Sequence, residues 1–202
     1  TISGSGADIW AGGDQFQYAY VKVQGNFDMK AHIVSRTWST DRWGKGGIMA
    51  RQDLTASSRY VFVHDNPDPD GARMAIRPTH GGSDNTEPFV LADGTHPNWF
   101  RLARVGDTIT GYYGANGTTW TAFGTNTWGG GTTVYLGFAL TSHSNCGVAT
   151  LVWDQLTLSG TILPPDDPGP GPGPTPGVCT PRADVRLNEA YLRVNGGDER
   201  WV

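Results

Sequence analysis

The chain has 202 residues, a net charge of −4, 29 glycines and 13 prolines, and 17% of its residues are charged. This length allows one sandwich-sized domain with a sizeable core, followed by a tail. The slightly acidic charge disfavours a nucleic-acid partner, and we expect none. No apolar run approaches the ~20 residues of a membrane span, so none is predicted.

Short runs rich in aromatic and β-branched residues, each bounded by Gly, Asn, Asp or Pro, predict strands along the first 160 residues. The first two, at 16–23 and 27–35, are predicted to pair as a hairpin across the turn at 24–26. The other predicted strands lie at 47–51, 60–64, 73–77, 89–91, 99–105, 108–113, 134–141 and 149–158. Many short strands without a helix predict an all-β, two-sheet antiparallel jelly-roll β-sandwich.

A run of prolines and glycines at 164–176 marks the sharpest boundary in the chain. Such a run is extended and cannot donate ladder hydrogen bonds, so it predicts a spacer between modules. We therefore expect a sandwich domain at 1–160, a linker at 161–180 and, at 181–202, either the start of a second β module or a strand that pairs with another copy. Composition and linker type favour a secreted or cell-surface protein.

The only two cysteines are Cys146 and Cys179. Their spacing fits no zinc motif. They could form one disulfide that ties the linker to the sandwich, or remain two unpaired thiols, and the sequence leaves both readings open.

Residues 66–71 partly fit a calcium loop, with oxygen-bearing side chains at alternate positions and Gly71 sixth. The twelfth position is Arg77, where an EF-hand needs a bidentate glutamate. A turn between the strands at 60–64 and 73–77 is therefore the favoured interpretation.

The carboxylates and nucleophiles do not favour an enzyme. Residues 1–160 contain one glutamate, Glu87, whereas glycosidases usually need two facing carboxyl groups. The Gly-x-Ser-x-Gly elbow of serine hydrolases is also absent. Catalytic groups converge from distant positions, so a glycoside hydrolase or lyase that uses aspartates or an Arg/His/Tyr set remains an alternative.

The tryptophans favour a sugar-binding site, because sugars stack their C–H faces on flat aromatic rings and form hydrogen bonds through their hydroxyls with Arg, Asp, Asn or His. Residues 38–43 combine both features in a predicted loop, Trp128 lies in another, and alternation places Trp99 and Arg101 on one strand face. Trp10, Trp120 and Trp153 are assigned to packing. The predicted ligand-binding set is Trp38, Asp41, Arg42, Trp43, Arg51, Arg77, Trp99, Arg101 and His143.

Five segments occur in an order that carries a resemblance: GGIMAR at 46–51 with SRY at 58–60, WFRLARVG at 99–106, NGTTW at 116–120, LGFALTSH at 136–143 and VWDQL at 152–156. Together they resemble the strands of bacterial concanavalin-A-like lectin/glucanase domains of the DUF1349 type. Asn116 departs from the family's usual aspartate, and Ala50 from a frequent isoleucine. The segments at 186–190 and 197–202 resemble the opening of a lamin-tail-like domain.

This resemblance implies a jelly-roll fold and an appended module of a secreted, multidomain protein. Lectin-like sandwiches often hold a structural Ca²⁺ near the chain start, for which Asp8 or Asp154 would be the side-chain ligand; no other cofactor is expected. The leading hypothesis is a non-catalytic module that binds a polysaccharide or glycan. The alternatives are an adhesive protein whose terminal strand pairs with a neighbouring subunit, and a glycoside hydrolase or lyase.

Overall fold

The computed structural model of the chain describes residues 1–39, 41–83, 85–91 and 94–164. Within these ranges the backbone forms the strands β1 (Ile2–Gly6), β2 (Gln17–Thr37), β3 (Lys45–Arg51), β4 (Tyr60–Asp65), β5 (Arg73–Arg77), β6 (Thr86–Val90), β7 (Trp99–Val105), β8 (Thr108–Gly114), β9 (Thr121–Thr127), β10 (Thr133–Thr141) and β11 (Ser144–Leu163). The described part of the chain holds no helix of the length and apolarity that a membrane crossing demands.

The strands form two facing sheets that share one long strand. The hydrogen-bonded order is β6-β5-β4-β3-β10-β2-β7-β8-β9, and β11 pairs with β1 and with β2. We call β6, β5, β4, β3, β10 and the first part of β2 the first sheet. The second sheet consists of β1, β11, the rest of β2, β7, β8 and β9. All pairings are antiparallel, so the predicted two-sheet antiparallel β-sandwich is confirmed.

The two predicted strands at 16–23 and 27–35 are not a hairpin, and this part of the sequence-based prediction is wrong. They are the two halves of β2, which pairs with β10 through residues 17–24 and with β7 through residues 27–32. Gly25 sits between the halves with φ +74°, a conformation that glycine adopts without strain, and its N–H donates to the Thr132 carbonyl. The glycine therefore bends the strand from one sheet into the other instead of reversing it.

The core lies between the sheets and follows the alternation of the strands. Ile48 and Ala50 of β3 face Phe100 and Leu102 of β7, and all four side chains are buried. This confirms the predicted inward faces of both strands. The outward neighbours therefore project onto two separate outer faces, one for each sheet.

The segment before β2 covers much of the first sheet's outer face. Ile9 is fully buried there against Met49, Tyr60 and Phe62, and Phe16 and Tyr18 pack beside them. Tyr18, at the start of β2, donates to the backbone carbonyls of β3 and β10 and so fixes its ring across this outer face. This second apolar cluster closes a surface that alternation alone leaves open to solvent.

Most predicted strands appear in the structure within a few residues of their predicted limits, whereas β1 and β9 were not predicted. The turn at 66–71 joins β4 to β5 in an antiparallel hairpin, as predicted. The last described strand runs to Leu163, past the predicted domain limit at 160. The rest of the predicted linker, the predicted second module at 181–202 and Cys179, the second cysteine of the predicted disulfide, lie outside the described residues.

Candidate functional site

The polar residues of the first sheet's outer face are organised around one buried carboxylate. The carboxylate of Asp14, in the covering segment, accepts hydrogen bonds from two nitrogens of Arg77, at 2.6 and 2.7 Å, and from one nitrogen of Arg51, at 3.1 Å. All three side chains are at most 1% exposed. Arg51 also stacks on Phe16 and Arg77 on Tyr60. Charge pairing and cation–π contact together compensate the desolvation of the two guanidinium groups.

Arg51 and Arg77 were predicted to line a ligand surface, and their burial corrects this. Their remaining N–H groups donate to backbone carbonyls of residues 53–58 and to the Asn85 side chain. No donor is aimed at solvent from such positions. The two arginines therefore hold the covering segment on the sheet and do not offer hydrogen-bond donors to a sugar.

The predicted loop around Trp43 does reach the surface. Trp43 is 41% exposed, and the Arg42 guanidinium lies 4.8 Å from its ring centroid. Arg42 forms a bidentate pair with Asp70 at 2.8 Å for both contacts, and Arg73 adds a third contact to Asp70 at 2.9 Å. The hydrogen bonds from Arg42 hold the pKa of Asp70 below its ordinary range. We call Asp41, Arg42, Trp43, Asp70 and Arg73 the Trp43 patch.

A buried acid–histidine contact lies beside the Trp43 patch. Glu87 accepts a hydrogen bond from Arg73 at 2.8 Å, and its other oxygen lies 3.5 Å from Nε2 of His64, which is fully buried and stacked on Phe62. Burial by itself raises the pKa of Glu87, but the hydrogen bonds and charges of His64 and Arg73 outweigh it and lower the pKa to about 2. Glu87 is therefore a poor proton donor at neutral pH.

His143 joins the Trp43 patch to the covering segment. Its Nδ1 lies 3.1 Å from Asp41, and its Nε2 lies 3.4 Å from Asp8. Asp8 also binds Lys45 Nζ at 2.5 Å. Asp41 accepts the backbone N–H of Trp43, and this bond contributes most to lowering its pKa. The predicted residues Asp41, Arg42, Trp43 and His143 are thus brought together at one end of the first sheet.

The predicted metal ligands are not brought together. Asp8 is occupied by the Lys45 ammonium, which takes the place that a cation would need. Asp154 lies on β11 of the second sheet and pairs with His32 at 2.7 Å. The described residues contain no group of three or more His, Cys, Asp or Glu side chains arranged to hold a metal ion. The arrangement therefore does not support the predicted Ca²⁺ site at Asp8 or Asp154.

Two loop tryptophans are placed differently from the prediction. Trp38 is only partly exposed and packs against the core, with Gly44 so close that a Cβ there would lie 3.2 Å from the indole. Trp128 is fully buried. Both indoles extend the core at the ends of strands, because a large ring is stabilised more by apolar burial than by exposure. Trp128 therefore offers no surface for a ligand, and Trp38 is anchored to the core by one side of its ring.

The second sheet carries an open groove on its outer face, on the opposite side of the sandwich from the Trp43 patch. Its volume is about 550 Å³, within the range typical of small-molecule sites. Strands β2, β7 and β11 form the floor, and the turn between β8 and β9 forms a wall. The lining residues, which we call the Trp120 groove, are Asp28, Lys30, Arg101, Thr118, Trp120, Thr157, Leu158 and Ser159.

The floor of the groove presents a fixed ion pair. Arg101 binds Asp28 through two nitrogens, at 2.8 and 2.5 Å, and these hydrogen bonds raise the pKa of Arg101. Its guanidinium lies 4.7 Å from the Tyr112 ring centroid and 5.8 Å from that of Trp120. A bidentate pair held in this way offers oriented donors and acceptors with little freedom to move.

The wall of the groove is an indole supported from behind. Trp120 is partly exposed and meets Trp99 edge-to-face, with ring centroids 6.2 Å apart. Trp99 itself is 8% exposed, so it positions Trp120 and does not contact a ligand directly. The prediction that Trp99 and Arg101 share a face is correct for this outer face. The assignment of Trp120 to packing missed that it forms the wall of a groove.

Sequence reasoning also missed Asp28 and Lys30. The signal was present, because Asp28, Lys30 and His32 alternate with the buried Met29, Ala31 and Ile33 along β2. That pattern identifies an outward face, but not which strands lie beside it. The register, with Lys30 opposite Arg101 on one side and Thr157 on the other, is what assembles the groove.

Comparison with known proteins yields no matching family model and no matching curated protein. Solved structures do match. A functionally unknown protein from Saccharomyces cerevisiae aligns with a TM-score of 0.60 at 12% identity, over 79% of this chain and 86% of that one. At such low identity the match supports the sandwich fold alone.

Two other solved structures align less closely. A xylan β-1,4-xylosidase from Bacillus halodurans C-125 gives a TM-score of 0.48 at 11% identity, over 69% of this chain and 32% of that one. The alginate lyase from Klebsiella pneumoniae gives 0.44 at 13% identity, over 68% and 60%. The chain thus spans about a third of the xylosidase.

Proposed function

We propose that the domain is a non-catalytic carbohydrate-binding module of a secreted or cell-surface multidomain protein, and that it binds a glycan in the Trp120 groove. The observation that carries this proposal is the placement of a partly exposed indole beside the bidentate Asp28–Arg101 pair in an open groove. The proline-glycine run after the domain supports a place among several modules.

The chemistry of the groove suits a sugar. An indole offers a flat apolar face for the C–H groups of a pyranose ring. Asp28 keeps lone pairs that Arg101 does not use, so it can accept a hydrogen bond from a sugar hydroxyl. The side-chain hydroxyls of Thr118, Thr157 and Ser159 can donate hydrogen bonds to the sugar or accept them from it. The groove is open, so a polymer can pass along it.

The arrangement also supports membership of the concanavalin-A-like superfamily. The GGIMAR segment forms β3, and WFRLARV forms β7, which face each other across the core. The LGFALT segment forms most of β10, between β3 and β2. These three segments therefore form the centre of the sandwich, which supports a relationship to the concanavalin-A-like fold.

The state of Glu87 supports a non-catalytic role. A glycosidase needs one protonated carboxyl group and a second carboxylate across the scissile bond. Glu87 has a lowered pKa, is held by Arg73 and His64, and lies on the sheet opposite the groove. It does not supply the proton donor that such chemistry needs.

The proposal is tested by a matched pair of tryptophan variants of the whole chain. Trp120→Ala removes the wall of the groove. Trp43→Ala removes the exposed ring of the Trp43 patch, where the sequence analysis predicted ligand binding. Binding is screened on a glycan array, and dissociation constants of hits are measured by titration calorimetry. We expect Trp120→Ala to weaken binding at least about 30-fold, roughly 2 kcal/mol, as for an anchoring aromatic side chain.

Trp43→Ala should leave the same dissociation constant within about twofold. Circular dichroism and thermal unfolding must show that both variants are folded. The reverse result, with Trp43→Ala weakening binding and Trp120→Ala not, would move the site to the Trp43 patch. If the array shows no glycan bound, a carbohydrate-binding function is contradicted.

A further inference from the structure

The charges in the Trp120 groove do not balance. Asp28 and Arg101 form a bidentate pair and neutralise each other. The third charged lining residue is Lys30, and its Nζ donates to a neutral acceptor, the Gly117 carbonyl, at 3.1 Å. Among the described residues no carboxylate lies within ion-pair distance of Lys30 Nζ. The groove therefore carries one uncompensated positive charge on a chain whose net charge is −4.

Lys30 is also held in place. Its Nζ lies 5.9 Å from the Trp120 ring centroid, and the Gly117 carbonyl fixes it in the wall turn. Gly117 has φ +70° and packs so tightly on Trp99 that a Cβ would lie 2.6 Å from that ring. An ammonium group has three N–H donors, and the hydrogen bond to Gly117 uses one of them, so two remain for a ligand or for water. The ammonium is thus oriented beside the ring on which a sugar would stack.

We infer that the Trp120 groove selects a glycan whose sugar carries an anionic substituent, a carboxylate or a sulfate, with Lys30 as the residue that recognises the charge. This inference rests on the proposed function of the same groove. A ring stacked on the exposed part of Trp120 brings its substituent next to Lys30 Nζ, where a charge-assisted hydrogen bond replaces water. The Asp28–Arg101 pair then binds the uncharged hydroxyls.

The test uses pairs of probes that differ only in charge. Polygalacturonate is compared with its carboxyl-reduced form, alginate with its carboxyl-reduced form, and dextran sulfate with dextran. Dissociation constants are measured by titration calorimetry for the wild type and for Lys30→Gln, Lys22→Gln and Trp120→Ala. Lys22→Gln is the matched control, because Lys22 lies on the same strand but on the first sheet, over Tyr135.

We expect the wild type to bind at least one anionic probe about tenfold or more tightly than its neutral partner, as for one hydrogen bond to a charged group. Lys30→Gln should remove this preference, while Lys22→Gln keeps it. Added salt should weaken binding of the anionic probe in the wild type and much less in Lys30→Gln. Preference within the carboxylate pairs or within the sulfate pair identifies the substituent.

Two outcomes would overturn the inference, and they are distinguishable. If charged and neutral members bind equally and Trp120→Ala abolishes both, the glycan-binding function stands and the selection for charge is wrong. If Trp120→Ala leaves every probe's binding unchanged, or if no probe and no array glycan binds, the proposed function fails and the inference with it.

Discussion

The two outer faces of the sandwich carry the same kinds of residue and have opposite characters. On the first sheet, Arg51 and Arg77 are buried with Asp14 under the covering segment. On the second sheet, Arg101 forms an equally regular pair with Asp28, but their side chains are 26% and 36% exposed and line an open groove. What separates a structural arginine from a candidate binding arginine here is the cover, not the strand pattern.

The cover changes the energetics of the ion pairs. A buried charge must be fully compensated, and every guanidinium nitrogen of Arg51 and Arg77 donates to Asp14 or to another protein oxygen. An exposed pair remains hydrated, contributes little to stability and keeps acceptor capacity for a ligand. The comparison therefore predicts that the first face contributes to stability and the second to binding.

The largest effect is expected from Asp14→Asn. It leaves two buried guanidinium groups without a counter-charge, so the free energy of unfolding should fall by about 3–5 kcal/mol. The matched change on the other face, Asp28→Asn, breaks an exposed pair and should cost less than about 1 kcal/mol while weakening glycan binding. Urea denaturation of both variants measures the difference. Equal losses of stability would break the distinction between the two faces.

The next effect concerns acid stability on the first face. The pKa of Glu87 is about 2, below its ordinary 4.5, so its ionised form is favoured in the folded state. This contribution is present above pH 4.5 and is lost as the pH falls towards 2. At about 1.4 kcal/mol for each pKa unit, the full loss amounts to about 3.5 kcal/mol.

Glu87→Gln should lower stability at neutral pH and flatten its dependence on pH between 4.5 and 2, as followed by urea denaturation across that range. Asp107→Asn is the control, because Asp107 is 57% exposed and lies 3.8 Å from Arg104. It measures how far the removal of one exposed carboxylate changes the same profile. A Glu87→Gln profile as steep as the wild type would show that other carboxylates carry the acid sensitivity.

A smaller effect is expected from Gly117→Ala in the wall of the groove. The new Cβ would lie 2.6 Å from the Trp99 ring, and φ is +70°, so we expect a loss of about 1–2 kcal/mol. Because Trp99 supports Trp120 and the Gly117 carbonyl holds Lys30, glycan affinity should fall as well. Thermal unfolding and calorimetric titration measure the two effects.

Gly106→Ala is the matched control, since Gly106 has φ +60° but open space around its Cα. Gly106→Ala should lower the free energy of unfolding through its backbone conformation alone and leave the glycan affinity unchanged. If both variants bind glycan like the wild type, the packing of the wall does not position the binding surface.

Individual residues show how far sequence patterns reach. Alternation correctly separated Ile48 from Met49 and Phe100 from Arg101, because a strand must turn one side of its residues to the core. It also placed Arg51 correctly on the outer face with Met49, but it could not show that residues 7–16, which precede β2 and carry no strand pattern, cover that face and bury Arg51 and Arg77. The turn signal at 24–26 was misleading, because the chain only bends at Gly25 and the strand stays paired on both sides of the glycine.

The candidate groove was partly within reach. Arg101 was predicted correctly as an outward residue, and Asp28 and Lys30 sit in an alternating run that could have been read in the same way. Trp120 could not be placed, because a tryptophan after a turn is equally compatible with packing and with a surface role. Its role depends on Trp99 behind it and Lys30 beside it, which are distant in the chain.

The sequence by itself determined the all-β class, most of the strands and the inward faces of β3 and β7, because these depend on local propensity and on the two-residue period of a strand. Only the tertiary structure decided which outward arginines are buried, which tryptophan lines a groove and which lysine lacks a counter-charge. Those properties arise from strand register and from the covering segment, which bring together residues far apart in the chain.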